Sequence, residues 1–295
     1  MSVFVQQQGS PCDFSGGDSW VIMTPIEQSI KRKIEAVGTP LKDWDINIYR
    51  GVLTGCNEAF IISSEKRDEI LSNCKSEEEK KRTDELIRPI LRGRDIKRYG
   101  YEWANLWLIN THNGIKGKLE RIHIEDYPAV KAHLDQFWDK IKDRADQGDT
   151  PYNLRNCAYL EEFFLPKIVY GQFQDGAEYS FTESGVFLSS NEYMLITHHY
   201  SSKCLLAFLN SKASEWLLGQ ITGNLGCNAK IGQKSNFLKL SIAQLNVGGQ
   251  KVFEYYVDSI LGNKEDAEKY EALIDREIYK VYGLTADEIK VIESQ

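Results

Sequence analysis

The sequence predicts an α+β fold, a twisted, mostly antiparallel sheet with flanking helices and a helical C-terminal segment. Three observations lead there. Short apolar runs bounded by glycine, serine and asparagine recur between residues 46 and 62, at 107–110 and from 167 to 196, as brief antiparallel strands require. Apolar residues at helical spacing fill the stretch from residue 246 onward. The third is bulk: 295 residues, 42% hydrophobic and 27% charged, can bury one large core or two smaller ones without staples.

Taken in order, residues 1–44 form an N-terminal strip and a helix. Val3-Phe4-Val5 and Trp20-Val21-Ile22 flank glycine-rich turns and are too irregular to fold alone, so this strip is expected to pack on something else. Thr24-Pro25 with Glu27 is a helix start, and Ile26, Ile30 and Ile34 make one apolar stripe that Gly38-Thr39-Pro40 ends. Residues 45–245 carry the sheet. Ile46, Ile48 and Val52-Leu53 read as one strand and Ala59-Phe60-Ile61-Ile62 as the next, with Thr54-Gly55-Cys56-Asn57 as the turn of a hairpin or tight strand-loop-strand. Ser64 caps a helix through Leu71, and the charged run from Lys75 to Glu85 is a solvated loop or exposed helix. Pro89 blocks a long helix, and Trp107 to Asn110 is a buried strand running into a polar turn at Thr111 to Lys118.

Asp126-Tyr127-Pro128 opens a helix whose Val130, Leu134, Phe137, Trp138 and Ile141 lie at helical spacing, an aromatic stripe that reads as core. Short strands follow at Lys167 to Gly171 and around Phe173, Phe181, Phe187 and Tyr193 to Ile196. Two helical pieces, Cys204 to Leu209 and Ala213 to Leu218, break at Asn210-Ser211, and a polar lysine-bearing loop from Thr222 to Asn236 leads to a strand at Phe237 to Ile242. Residues 246–295 are helical. Phe253, Val257, Ile260 and Leu261 form one stripe, and Tyr270, Ile274, Ile278 and Val281 a second closed by Gly283. Thr285 with Glu288 then makes a capping box for a last turn.

The six cysteines are scattered without C-x-x-C or histidine at ligand spacing, which argues against structural zinc and fits a reduced, cytoplasmic setting. No apolar run is long enough to span a bilayer, and the N-terminus lacks the form of a signal peptide. A net charge of -7 weighs against a nucleic-acid partner, but the charge is uneven. Residues 86–121 hold eight basic side chains against three acidic, and residues 200–240 hold five lysines against Glu215 alone. Residues 254–295 hold eleven acidic side chains against five basic. A basic working face beside an acidic helical end is therefore open to this chain.

Reactive constellations are missing: there is no G-x-G-x-x-G, Walker loop, G-x-S-x-G or H-E-x-x-H. His198-His199 sit at a strand end, where polarity alone accounts for them, and the acidic clusters lie in charge runs. Binding chemistry remains. Single Asn, Gln, Lys and Arg side chains on loops can pair with base edges, and three loops have them: Asn113 to Lys118, Asn153 to Asn156 with Gln172 and Gln174, and Asn224 to Asn236.

A family resemblance sharpens this. The run Arg50 to Ile62 resembles the opening of the TaqI-like C-terminal specificity domain, the target-recognition part of adenine-N6 DNA methyltransferases and type IIG restriction enzymes. Further stretches agree in order: Ile90 to Tyr99, Trp107 to Asn110, Tyr127-Pro128, Pro166 to Tyr170, Leu206 to Ser211, Phe237 to Ile242 and Ile278 to Thr285, spanning roughly residues 45 to 290.

The resemblance implies a DNA target-recognition domain over 45–245, serving sequence-specific recognition in a restriction-modification system that defends its host against foreign DNA. Its partners would be double-stranded DNA and a methyltransferase domain in the full-length protein, and no membrane. The glycine-bearing cofactor loop and the Asn-Pro-Pro-Tyr type motif that accepts a flipped adenine do not occur, and no Pro-Pro pair exists in the chain. The expectation is thus the specificity part of a longer enzyme, with Met1 just past the catalytic domain. The chain itself would hold no cofactor, S-adenosylmethionine belonging to the missing domain. Lys116, Lys118, Lys230 and Lys234 are the expected phosphate or groove contacts, and Arg155 and Gln233 the candidates for base readout. Residues 228–234 depart from the family in being less aromatic and less arginine-rich. Arg92 and Arg94 are expected to brace the fold. The competing expectation is a protein-interaction module that docks through the acidic tail and the apolar strip, and an unrecognised nuclease is a third.

Overall fold

In the computed structural model, residues 23–172, 176–222 and 234–294 are described. They divide into two compact units that do not follow chain order. One takes the residues up to Ile46, Gln172–Tyr179 and the chain from Thr197 onward; the other takes Asn47–Gly171 and Ser180–Ile196.

The first unit begins with helix α1 (Pro25–Val37). Thr24 and Glu27 cap it reciprocally, the Thr24 N–H donating to the Glu27 carboxylate at 2.6 Å, and Ile30 and Ile34 are buried. Gly38 stops it because the chain must pass against another strand: a Cβ there would lie 2.9 Å from both the Ile34 oxygen and the Ser241 carbonyl carbon. Strand β1 (Gly38–Pro40) then pairs antiparallel with residues 241–243, Thr39 opposite Ile242.

The second unit carries two four-stranded sheets. Strand β2 (Ile46–Arg50) is followed by a helical turn α2 (Asn57–Phe60) and strand β3 (Ile61–Ser63). The expected hairpin is not formed, because β2 and β3 belong to different sheets. Gly55 does take positive φ (65°), and the Thr54 hydroxyl donates to the Asn57 side chain at 2.6 Å. Asn57 then starts a helical turn, which carries the chain away instead of folding it back. Helix α3 (Ser64–Ser72) is capped by Ser63, one residue before the expected Ser64. The charged run becomes helix α4 (Glu77–Leu86), whose Glu79 is buried and accepts the Lys75 and Ala129 N–H groups at 2.9 and 3.1 Å.

Strands β4 (Ile87–Leu91) and β5 (Leu106–Ile109) pair antiparallel, and β5 also pairs with β3. Between them Arg92 grips Asp95 through both carboxylate oxygens, at 3.0 and 2.8 Å, and this ion pair holds the Asp95 carboxyl below its usual range against its burial. Arg92 therefore braces the fold, as its place in the sequence predicts.

The helix at Pro128 stops at Asp135 (α5, Pro128–Asp135) and resumes as α6 (Trp138–Ile141), because Phe137 leaves helical geometry (φ -106°, ψ 14°). Trp138 is consequently turned out to 41% exposure and is not core. Strands β6 (Lys167–Gly171), β7 (Tyr179–Thr182), β8 (Phe187–Leu188) and β9 (Glu192–Thr197) complete the sheets, in orders β2-β9-β6-β7 and β3-β5-β4-β8. β6 and β9 are antiparallel, while β8 joins β4 in parallel. A continuous core containing Phe60, Ile90, Leu108, Val130, Phe163 and Phe187 fills this unit.

Returning to the first unit, helices α7 (Ser202–Leu209) and α8 (Lys212–Thr222) are separated at Asn210, whose side chain pairs with both the N–H and the carbonyl of Tyr179 at 3.0 and 2.8 Å. A short helix α9 (Lys234–Phe237) takes up the start of the strand expected at Phe237 to Ile242, so that strand β10 is confined to Ser241–Ala243. Helices α10 (Val247–Gly262), α11 (Ala267–Val281) and α12 (Ala286–Glu293) close the unit, with Phe208 packed on Phe253 and Tyr282 at ring distances of 5.1 and 6.2 Å.

Candidate nucleic-acid interface

The loops Asn113 to Lys118 and Asn153 to Asn156 lie in the second unit and are stitched to each other, whereas Gln172, expected beside the latter, belongs to the first unit. Residues 115–119 form a tight excursion closed by reciprocal N–H to carbonyl bonds between Ile115 and Leu119, at 2.8 and 2.9 Å. Gly117 turns at its tip with φ 77°, which leaves Lys116 and Lys118 exposed on either side. At its base Gly114 (φ 72°) is required, since a Cβ would stand 2.4 Å from the Leu119 carbonyl oxygen.

Asn113 ties this loop to the second one. Its Nδ2 donates to Asp149 (3.0 Å) and Asn156 (2.6 Å), and its Oδ1 accepts the Asp149 N–H (2.9 Å). Gly148 allows the approach, because a Cβ there would lie 2.6 Å from the Asn113 side chain. Leu154 N–H donates to the Thr111 carbonyl (2.8 Å), and the Thr111 hydroxyl to that of Tyr152 (2.7 Å).

Asn153, expected to face a base, is buried: its amide donates to the carbonyl of Ile122 (2.8 Å) and accepts from the Thr150 hydroxyl (2.7 Å). Beneath the loops the buried Arg144 guanidinium donates to the carbonyls of Thr54 (2.9 Å), Ile141 (3.4 Å), Pro151 and Asn153, and stacks over Phe60 at 4.5 Å. Burial lowers its pKa, and no carboxylate lies within ion-pair distance of it among the described residues. Arg144 was not legible as a hub, because its neighbours Lys142, Asp143 and Asp146 read as ordinary surface charge.

The charges presented outward are partly matched. Lys118 pairs with Glu161, and Arg155 with Asp146 at 3.0 Å with more than half of its side chain still exposed. Lys116 makes no ion pair among the described residues, so its full charge faces solvent. His112 accepts the Gly114 N–H at 3.2 Å on Nδ1, and burial lowers its pKa, so it is a neutral part of the scaffold. Lys234 opens α9 in the other unit and is exposed, while Lys230, Gln233 and Gln174 lie outside the described residues. His199 is almost fully exposed, and its Nε2 stands 3.4 Å from the Asp45 carboxylate.

The TaqI-like C-terminal specificity domain matches this sequence over residues 88–246, more than half of the chain. The chain belongs to that family. All six candidate contacts, Lys116, Lys118, Arg155, Lys230, Gln233 and Lys234, fall within the matched specificity domain. In fold the chain is similar to the type IIL restriction-modification enzyme MmeI, solved in complex with DNA, with a TM-score of 0.58, 13% identity, and coverage of 87% of this chain and 36% of that one. It is also similar to the type IIG restriction endonuclease BpuSI, with a TM-score of 0.52, 14% identity, and coverage of 88% and 34%. The specificity-domain chain thus spans about a third of the length of each of these enzymes. No curated protein sequence matches it.

Proposed function

We propose that this specificity domain binds double-stranded DNA and reads its sequence for a restriction-modification enzyme of which it forms one part. The single observation that carries the proposal is the family match over residues 88–246, which contains the stitched, cation-bearing loops at 113–118 and 148–156. Lys116 and Lys118 supply point charges for phosphate, which sets affinity and register without reading sequence. Arg155 presents a guanidinium fork of the kind that pairs with guanine. Lys230, Gln233 and Lys234 are assigned further contacts with the duplex.

Methylation or cleavage is assigned to other domains of a longer enzyme, S-adenosylmethionine being held there and not by residues of this chain. Likeness to about a third of the length of two longer enzymes supports that division. A cytoplasmic setting follows from a DNA substrate, and no helix of the described residues is long and apolar enough to cross a membrane.

One observation favours docking on protein instead: Val247, Val252, Tyr255 and Leu261 are exposed on α10. Titrating a fluorescent duplex of random sequence at low salt, with and without magnesium, separates the two. Binding without cleavage is expected. Absence of binding would favour the interaction module, and magnesium-dependent cuts would reveal a nuclease.

A further inference from the structure

Phe164 and Leu165 are 38% and 44% exposed at the end of the short 3₁₀ helix Leu160–Phe164, and Leu119, beside Lys118, is exposed as well. Single exposed apolar side chains are ordinary. The backbone that carries this pair is not. The Phe163 carbonyl accepts the Gly185 N–H (3.0 Å) and the Lys167 ammonium (2.8 Å). The Phe164 carbonyl accepts the Ser184 hydroxyl (2.7 Å), and the Leu165 carbonyl accepts Lys167 again (3.1 Å).

Lys167 is fully buried and spends its third N–H on the Glu183 carbonyl (3.4 Å), with no carboxylate in ion-pair distance among the described residues. Burial pushes its pKa down to about 8, with Glu183 opposing. Burying an ammonium against carbonyls alone is a costly way to finish a helix, since apolar packing would be cheaper. What it achieves is a turn whose three successive carbonyls are all tied down, which holds two apolar side chains out toward solvent.

Cationic, aromatic and acidic groups all flank this pair, the exposed Glu161 and Glu183 among them. The Arg88 guanidinium lies 5.4 Å from the Phe164 ring centre, and Phe187 meets the same ring edge-on at 5.8 Å, so the ring is steadied from two sides. Arg88 makes no ion pair among the described residues. Residues three apart eclipse in a 3₁₀ helix, which puts Glu161 on the same face as Phe164, and Glu161 is the partner of Lys118. Thus the Lys118–Glu161 ion pair lies on the face of the 3₁₀ helix that carries Phe164, with Arg88 against the Phe164 ring.

We infer that Phe164 and Leu165 form a rigid apolar wedge that enters duplex DNA at a base step beside the phosphate contacts of the Lys116–Lys118 loop, unstacking and bending it. This rests on the DNA-reading function proposed above. Apolar side chains inserted between base pairs kink the duplex, and rigidity is what such a wedge needs, because a mobile one would be pushed aside by stacking. Lys167 acts through the turn and is a positioning residue.

The test uses the whole chain and a duplex recovered from random sequence by binding to it, with donor and acceptor dyes at its ends. Wild type should raise energy transfer on binding. Phe164→Ala combined with Leu165→Ala should weaken binding by about tenfold or more, leave the salt dependence unchanged and abolish the rise in transfer. Phe164→Trp should retain both, which excludes misfolding as the cause, and Lys116→Ala should flatten the salt dependence while keeping the bend. A double variant that binds and bends like wild type overturns the wedge, as does a wild-type complex with straight DNA. If no duplex is recovered, the DNA-reading function itself fails, and the wedge with it.

Discussion

Asn153 and Lys116 stand on neighbouring loops and have opposite fates. Asn153 is buried with its amide committed to backbone and hydroxyl partners, whereas Lys116 points into solvent without an ion pair among the described residues. Both were legible as polar loop residues, but sequence does not tell which polar side chain turns inward, since that depends on carbonyls from distant segments such as Ile122. Asn153→Ala should therefore lower stability by about 2 kcal/mol, through unsatisfied buried groups, in urea unfolding. Lys116→Ala with Lys118→Ala should leave stability within about 0.5 kcal/mol, because exposed pairs such as Lys118 with Glu161 contribute little. The same double variant should weaken DNA binding almost uniformly across sequences and reduce the salt slope by about one unit per lost phosphate contact. An unchanged slope would remove both lysines from the interface.

At the scale of elements, local signals were read well where the partner is close in sequence. The capping boxes at Thr24 with Glu27 and Thr285 with Glu288 are both formed, and the break at Asn210 is formed too, although its side chain bonds Tyr179, 31 residues away. In the stretch Arg50 to Ile62 the hairpin alternative fails and two strands joined through a turn remain, because Gly55 announces a turn without saying which sheet the next strand joins. Gly114 is a turn with an additional demand, and Gly114→Ala should cost about 2 kcal/mol or more, measured by thermal unfolding, because positive φ and the 2.4 Å approach act together.

Glu288 links α12 to α1 through Lys33 (2.7 Å) and Ser29 (2.8 Å). Burial alone would raise its carboxyl, but hydrogen bonds from Lys33, the Thr285 backbone and Ser29 outweigh it and hold the pKa to about 2. The folded value lies below the unfolded one, so the stabilisation is complete above pH 4.5 and is lost as pH falls toward 2. Glu288→Gln should lower stability at neutral pH by on the order of 2 kcal/mol and flatten the acid limb of the stability curve in that window. An acid limb identical to wild type would show that the Lys33–Glu288 contact is not maintained.

For the whole molecule, the negative total charge is a poor guide, because acidity is concentrated after residue 254 while basic side chains gather in residues 86–121. The fold class was legible in the alternation of short strands and helical stripes, and the family in the order of stretches from Ile90 to Ile242, while Arg50 to Ile62 and Ile278 to Thr285 lie outside the matched residues 88–246. What was not legible is which loops meet: Asn113 bonds Asp149 and Asn156 across more than thirty residues, a pairing no local pattern encodes. Nor do the two compact units follow the order of the chain.

The proposal that these loops read DNA sequence is tested by selecting duplexes from a random library with the whole chain, then titrating the recovered sequence and its single-base variants. One short motif should be enriched, and each base change within it should cost about 1–3 kcal/mol of binding. Equal affinity for every duplex, or recovery of none, would show that these loops do not read sequence.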